Sequence, residues 1–398
     1  MTQNNFKVNL SGRGHNYNEE DIVAVIDAMK TADPLTQGKY QREFEEKFSV
    51  FNQSKNCFAV SSCTGALELV ALLCRLGKTD EVIIPAHTFC ATAIPFARTS
   101  ARIVWADIDP DTRVVSAETI MPLITKQTKV IVVVHLYGLM APMPDIMEIA
   151  QQHNLIVVED CAQAIGASIK GIRAGNFADF ACFSFHTHKN MSTLGEGGML
   201  VVKDGNTAKL VPGLRHNGIR TFEFEREKYW IPAMSNVDFD MDCVWPYNFC
   251  IGEVQCAVGI KLLDRLDKMN EERNARATIF MNSMSDYPEL VFQKVRDDYS
   301  HCYHLLSARY DGKAYNKTNH DFIDMMAFTY SVKVIVQYYP LYRYPMFIKA
   351  GFGNANCPNT EHFFDNMVSF PFHHWMSDNE FDYMIDATKK TLERLRDR

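Results

Sequence analysis

Residues 130–160 read VIVVVHLYGLMAPMPDIMEIAQQHNLIVVED. Two runs, Val130 to Val134 and Leu155 to Val158, are nearly continuous in aliphatic residues and flank a longer helical stretch. Runs without polar alternation belong to strands covered on both faces, as in parallel sheets. The same pattern recurs outward from this unit. Val82 to Ile84, Ile103 to Asp107, Phe180 to Phe185 and Met199 to Val202 are further short runs separated by helical segments. Alternation of this kind predicts an α/β fold: a large domain with a mostly parallel sheet between helices. Before it, Ile22, Val25, Ile26 and Met29 recur at helical spacing within Glu19 to Lys30, with Asn16 and Asn18 available as caps. A second helical stretch covers Gln41 to Phe48. The pattern loosens through Thr221 to Tyr247, and a long helix begins near Ile251. We therefore divide the chain into a large domain, 1–245, and a smaller α+β C-terminal domain, 246–398.

Several runs end abruptly in polar residues: Asp107, His135, Glu159 with Asp160, and His186. Ligands in open parallel sheets sit beyond the carboxyl ends of the strands, so these ends are expected to form one pocket.

Composition excludes several classes. The 398 residues are 47% hydrophobic and 12% aromatic, enough to build a large core and unlike a disordered chain. Against 41 Lys and Arg stand 48 Asp and Glu, a net charge of −7 with no basic stripe, which argues against nucleic acid and anionic membranes as partners. No window reaches the roughly 18 apolar residues of a membrane helix, and the N-terminus lacks a signal-peptide core, so a soluble, unprocessed protein is expected. The 11 cysteines are odd in number, lack a CxxC pair and often lie in apolar runs, which points to free thiols and a cytoplasmic location.

Gly195-Glu196-Gly197-Gly198 reads on its own as a tight turn before a strand. No GxGxxG follows the first strand and no GxxxxGK[ST] occurs, so dinucleotide and P-loop readings lack their fingerprint. His186 and His188 on an extended segment would face opposite sides, and no further ligands stand at metal spacing, so no metal is assigned. No GxSxG elbow supports a serine hydrolase. Lys189 is more informative. It follows the Phe180 to Phe185 strand by four residues, which brings its amine to the strand-end pocket, where desolvation favours the neutral nucleophile. A solvated surface lysine is the alternative. A Schiff-base lysine for pyridoxal phosphate needs an acidic partner for the pyridinium nitrogen, and Asp160 suits that role. The stretch from Val60 through Ser61, Ser62, Cys63 and Thr64 into Gly65 enters a helical pattern, either as an ordinary cap or as a phosphate cradle.

With these residues in place the chain resembles the DegT/DnrJ/EryC1/StrS family of pyridoxal-phosphate-dependent sugar aminotransferases, of the aspartate aminotransferase type I fold. The likeness runs in order over nearly the whole length. It is carried by LTQGKYQREFEEKF, AVSSCTGALEL, DEVIIPAHTFCATA, ADIDPDT, VVHLYGLMAPM, VVEDCAQAIGA, FACFSFHTHKNMSTLGEGGMLV and PYNFCIGEVQCAVGIKLLDRLD. The resemblance implies that Lys189 holds pyridoxal 5'-phosphate as a Schiff base and shuttles the proton, while Asp160 pairs with the ring nitrogen and Gln163 with the ring hydroxyl. It implies that Thr64 and Gly65 bind the phosphate with Ser184, that Phe89 stacks on the ring, and that Asn248 reaches the phosphate of a neighbouring subunit in a homodimer with shared sites. An amino donor such as glutamate would pass its nitrogen to a nucleotide-linked keto-sugar, giving an amino sugar for surface polysaccharide or secondary metabolism.

The chain departs from the family pattern at four places. Cys63 and Gly65 stand where Gly and Ala are usual, Cys250 replaces an Arg, and Gln337 to Tyr342 (QYYPLY) replaces an HY-x-P-x-H pattern. Loss of the Arg removes a fixed cation and a five-donor fork. Two other readings are a sugar dehydratase of the same fold, in which His replaces the lysine, and a non-catalytic regulatory protein that binds the cofactor. Lys189 weighs against the first and the intact Lys189, Asp160 and Ser184 set against the second. Substrate choice is expected to lie in loops such as Thr221 to Trp245.

Overall fold

A computed structural model describes residues 6–219, 230 and 244–397. The chain opens with helices α1 (Glu19–Thr31) and α2 (Lys39–Asn52), then strand β1 (Cys57–Val60) and helix α3 (Cys63–Leu73). Strands β2 (Glu81–Pro85), β3 (Arg102–Ala106) and β4 (Thr128–Val134), helix α4 (Met143–His153), and strands β5 (Ile156–Asp160), β6 (Phe180–Ser184) and β7 (Gly198–Val202) follow. The seven strands form one sheet in the order β1-β7-β6-β5-β4-β2-β3. All neighbours from β3 to β6 pair in parallel.

β7 alone runs against its two neighbours. The physical reason lies in the connection: residues 185–197 turn without a helix, and only a crossover can return a strand parallel to its predecessor. Each expected strand is present within two residues of its ends. β1 is not among the predicted strands, because four residues carry little pattern.

Apolar continuity in the strands has the consequence expected of it. Ile83, Ile131, Val133, Val157, Phe183 and Met199 face one core with Phe44 and Phe48 of α2. Their sequence neighbours Val82, Ile84, Val130, Val132, Val158 and Leu200 face a second core with Leu67 and Val70 of α3. Both faces of the sheet are therefore buried.

α1 begins where Asn18 and Asp21 cap each other, through Asp21 N–H to Asn18 Oδ1 at 3.0 Å and Asn18 N–H to Asp21 Oδ2 at 2.8 Å. Its apolar stripe turns only partly inward: Val25 packs on the first core, Ile22, Ile26 and Met29 are exposed, and Asp21 and Ala28 are buried. The pairing of Asp21 with Arg265 turns the polar side toward the protein.

The long helix expected from Ile251 is two helices, α5 (Glu253–Leu263) and α6 (Leu266–Ser283). Residues Cys256, Val258 and Leu262 of α5 lie in the first core. A third core holds Ala277 and Phe280 of α6 and the three-stranded antiparallel sheet of β8 (Leu290–Phe292), β9 (Leu306–Tyr310) and β10 (Met367–Phe370), with α7 (Asp378–Arg396). Val8 of the N-terminal segment joins that core and bridges to Val332. Among the described residues no helix is long and apolar enough to cross a membrane.

Candidate active site

The strand ends do not all reach one pocket. Neighbouring side chains on a strand point to opposite faces, and Glu159 and Asp160 show it. Glu159 is fully buried on the side away from the cavity, accepting from Gly175, Phe177 and Ala178 N–H and meeting His135 Nε2 at 2.9 Å. Burial alone would raise its pKa, but His135 and the main-chain donors together hold it below the usual carboxylate range. Cys161 completes a buried trio with His135 and Glu159. With Ala141 N–H donating to His135 Nδ1 at 3.2 Å, the trio's polar atoms serve the fold. Asp107 instead caps the helix Pro358–Asn366, accepting from Asn359 N–H at 2.9 Å and Thr360 N–H at 2.8 Å.

Asp160 faces a cavity of about 580 Å³ at the carboxyl ends of the parallel strands. Lys189, Thr64, Phe89, Gln163, Ser184 and His186 share its lining. Thus six of the eight proposed site residues converge on one cavity. Gly65 sits one position further along α3, its N–H donating to Ser62 Oγ at 3.0 Å. Asn248 is exposed and outside the cavity, in a bridge to His216.

The Asp160 carboxylate is 4% exposed and accepts from Thr92 Oγ1 at 2.7 Å and Ala162 N–H at 3.1 Å. Burial raises its pKa, opposed by these donors, then by Lys189. Burial lowers the pKa of Lys189, opposed by Asp160 and Cys63. The two groups thus each push the other toward its charged form against a dry environment.

A main-chain turn, closed by Lys189 N–H to His186 O at 2.9 Å, presents the lysine. The segment is a turn rather than extended, so the His186 and His188 rings lie 5.3 Å apart on one side instead of on opposite faces. The N-terminal segment straps this turn: Gly14 N–H donates to Thr187 O at 2.8 Å, Thr187 Oγ1 to Gly12 O at 3.0 Å, and Ser192 N–H to His15 Nε2 at 3.1 Å.

The Gly-rich stretch does two jobs. Gly195 has φ +112°, a turn conformation open to glycine. At Gly198 a Cβ would stand 2.5 Å from Ser62 C and 2.6 Å from Cys63 N, so its absence lets β7 touch the start of α3.

Gln163 is fixed from both ends, accepting from Tyr137 N–H at 2.8 Å and donating to Tyr338 Oη at 3.1 Å. Tyr338 also stacks on Tyr137 with centroids 6.3 Å apart and meets the edge of Phe89 at 6.1 Å. Sequence reasoning missed Thr92, Tyr137 and Tyr338 as parts of this wall. Tyr338 had a signal, since it lies in the divergent QYYPLY stretch.

These residues fit pyridoxal phosphate. A buried carboxylate suits a protonated ring nitrogen, and a desolvated amine suits a carbonyl. The first turn of α3 has N–H groups without helical acceptors beside the Thr64 and Ser184 hydroxyls, which suits a phosphate. Cys63, in place of the usual glycine, puts its Sγ 4.0 Å from Asp160 Oδ1 without filling the cavity. Cys250 Sγ lies 3.6 Å from Arg215 O. The loop from Thr221 to Trp245 falls outside the described residues except for 230, 244 and 245.

Comparison with known proteins agrees with this chemistry. A model of the DegT/DnrJ/EryC1/StrS aminotransferase family matches residues 16–389. The chain is 31% identical over 377 residues to the spore coat polysaccharide biosynthesis protein SpsC of Bacillus subtilis, covering 94% of this chain and 95% of that one. To a UDP-N-acetyl-3-dehydro-alpha-D-glucosamine 3-aminotransferase of Acidithiobacillus ferrooxidans it is 29% identical over 356 residues, 89% of each chain. Among solved structures it matches DesV of S. venezuelae in complex with a ketimine intermediate, with a TM-score of 0.82 and 26% identity over 94% of this chain and 95% of that one. This chain belongs to the DegT/DnrJ/EryC1/StrS aminotransferase family: it is a transaminase of the type I fold, and its cofactor is pyridoxal 5'-phosphate.

Proposed function

We propose that this enzyme moves the amino group of glutamate to a keto-sugar carried on a nucleotide, releasing an amino sugar. The observation that carries the reading is the pairing of a desolvated Lys189 amine with the buried Asp160 carboxylate in one cavity. The 3-aminotransferase relative, named for a UDP-linked keto-sugar, supports the acceptor class.

Bound in this cavity, pyridoxal phosphate supplies an electron-withdrawing ring that delocalises the charge left when a proton leaves the carbon bearing the amine. The chain's own groups do the rest. Asp160 holds the proton on the ring nitrogen, helped by Thr92, which fixes the carboxylate. Thr64, Gly65 and Ser184 would hold the phosphate, Phe89 would cover the ring face, and Gln163 would stand by the ring hydroxyl. Lys189, as the amine in this cavity, would move the proton from and to the carbon bearing the amine, as base and then acid. Asn248, exposed in the single chain, is free to reach the phosphate held by a second copy. The unit is then a homodimer with shared sites.

The ten described cysteines are all free thiols, which supports a cytoplasmic setting.

A visible spectrum tests the reading. Pyridoxal phosphate added to the protein should give the band of a lysine-bound cofactor, glutamate should discharge it, and Lys189→Ala should form no such band. A band that glutamate leaves unchanged would remove glutamate as donor, and a band retained in Lys189→Ala would remove the lysine.

A further inference from the structure

Gln337 stands where the family pattern has His, and it lines the cavity. Its main chain is held from two sides. Gln337 N–H donates to Met367 Sδ at 3.2 Å, and its carbonyl accepts from Tyr137 Oη at 2.7 Å. Having given its one hydroxyl proton to that carbonyl, Tyr137 Oη accepts from His87 Nε2 at 2.7 Å. Two residues earlier, Ile335 and Ser369 of β10 exchange main-chain hydrogen bonds of 3.0 and 2.8 Å. The segment is thus fixed to the small sheet on one side and to Tyr137 on the other. The side chain has no such support. Gln337 Oε1 is buried with no hydrogen-bond partner, and Nε2 makes no hydrogen bond among the described residues. Gln163, on the same wall, is by contrast bonded at both ends, to Tyr137 N–H and Tyr338 Oη.

Buried amide atoms without partners cost free energy, and folded proteins satisfy nearly all of them. With no bond to hold it, the Gln337 amide turns about its last torsion and can present either atom to the cavity. The group that satisfies it has to supply a proton. Oε1 only accepts, so an ionised carboxylate or phosphate, which carries no hydrogen to give, leaves it unpaired. A hydroxyl serves both atoms, donating to Oε1 or accepting from Nε2. The amide is also neutral at every pH, whereas a histidine in its place takes up charge near neutrality. This part of the wall is therefore set for an uncharged hydroxyl.

We propose that Gln337 is a specificity-determining residue, hydrogen-bonded to one hydroxyl of the sugar acceptor. This rests on the reading that the acceptor is a keto-sugar carried on a nucleotide. Tyr338 follows Gln337 directly and is bonded to Gln163, so the amide stands on the side of the cavity that Gln163 occupies. The pinned main chain fixes where the amide begins, and only its terminal torsions are left for the ligand to order. A sugar lacking the matching hydroxyl covers the amide and leaves it unpaired, so selectivity comes from that penalty as well as from the bond. An amino-acid donor brings no hydroxyl at the same place, and the amide then distinguishes among acceptors rather than among donors.

The test uses the protein loaded with pyridoxamine phosphate and nucleotide sugars that have no ketone, which bind without reacting. Calorimetry with UDP-glucose, dTDP-glucose and GDP-glucose selects the best-bound nucleotide, and its glucose is then replaced in turn by each monodeoxy form. Wild type, Gln337→Met and Gln337→Glu are compared. In the wild type one monodeoxy sugar should bind about tenfold or more weakly than its parent. Gln337→Met, of matching length but apolar, should bind that sugar and the parent alike, whereas Gln337→Glu, which keeps an acceptor in place, should keep the preference. A wild type indifferent to every monodeoxy form, or a preference that survives in Gln337→Met, overturns the proposal and leaves the nucleotide-sugar reading standing. If none of the three parent compounds binds, the nucleotide-sugar reading fails and takes this inference with it. Should Gln337→Met fail to fold, Gln337→Leu replaces it with the same expected and overturning results.

Discussion

In the proposed function Lys189 acts as a nucleophile because its surroundings disfavour its charge. Burial pulls the Lys189 pKa down from the ordinary 10.5, and Asp160 only partly restores it. The neutral amine is therefore present at lower pH than in a solvated lysine. The rate at which the protein captures pyridoxal phosphate should rise with pH and level off below pH 10.5, whereas a free alkylamine keeps gaining up to that value. Stopped-flow growth of the visible band against pH measures this, and a profile still climbing at the free-lysine value would contradict it. The stability linkage has the matching sign: a depressed lysine pKa makes the cofactor-free fold gain stability as pH rises through the lowered value, up to the unfolded one. At this scale Lys189 and Asp160 were legible because each follows an apolar strand within a few residues. Thr92 was not, since nothing in a short polar residue's own neighbourhood says that it will meet a carboxylate 68 positions away at 2.7 Å.

Secondary-structure elements were legible where a period is long enough to read, and poorly legible where function depends on close approach. The parallel strands could be read from their continuous apolar runs. The reversal of β7 and the break between α5 and α6 could not, because they depend on the path of the connections. Contact between β7 and α3 is of this second kind. Replacing Gly198 by Ala would force a methyl to within 2.6 Å of main-chain atoms at Ser62 and Cys63, and neither chain can retreat without opening the sheet. We expect a loss of about 2 kcal/mol of stability in urea unfolding, as for other overpacked sites. We also expect weaker binding of pyridoxal phosphate, because the displaced atoms begin the helix proposed to face the phosphate. Unchanged cofactor affinity in a destabilised Gly198→Ala would separate the contact from the site.

At the scale of the molecule, α5, which follows the proposed division of the chain at 245 and 246, packs with α2 on the first core. Shared active sites make a further prediction for the proposed dimer. Lys189→Ala and Asn248→Ala chains, each inactive or nearly so alone, should regain activity when unfolded together and refolded, since a mixed dimer holds one intact site. No recovery would argue that each chain's site is self-sufficient. The strap of residues 12–17 across the Lys189 turn has a further consequence, which concerns time rather than geometry. Residues 12–17 leave the ribosome well before their partners, residues 187–192 and Arg273, have been made. Pairings so far apart in sequence form late, so the turn that carries Lys189 is strapped only after Arg273 has been made, and the candidate cofactor site is among the last parts of the protein to form.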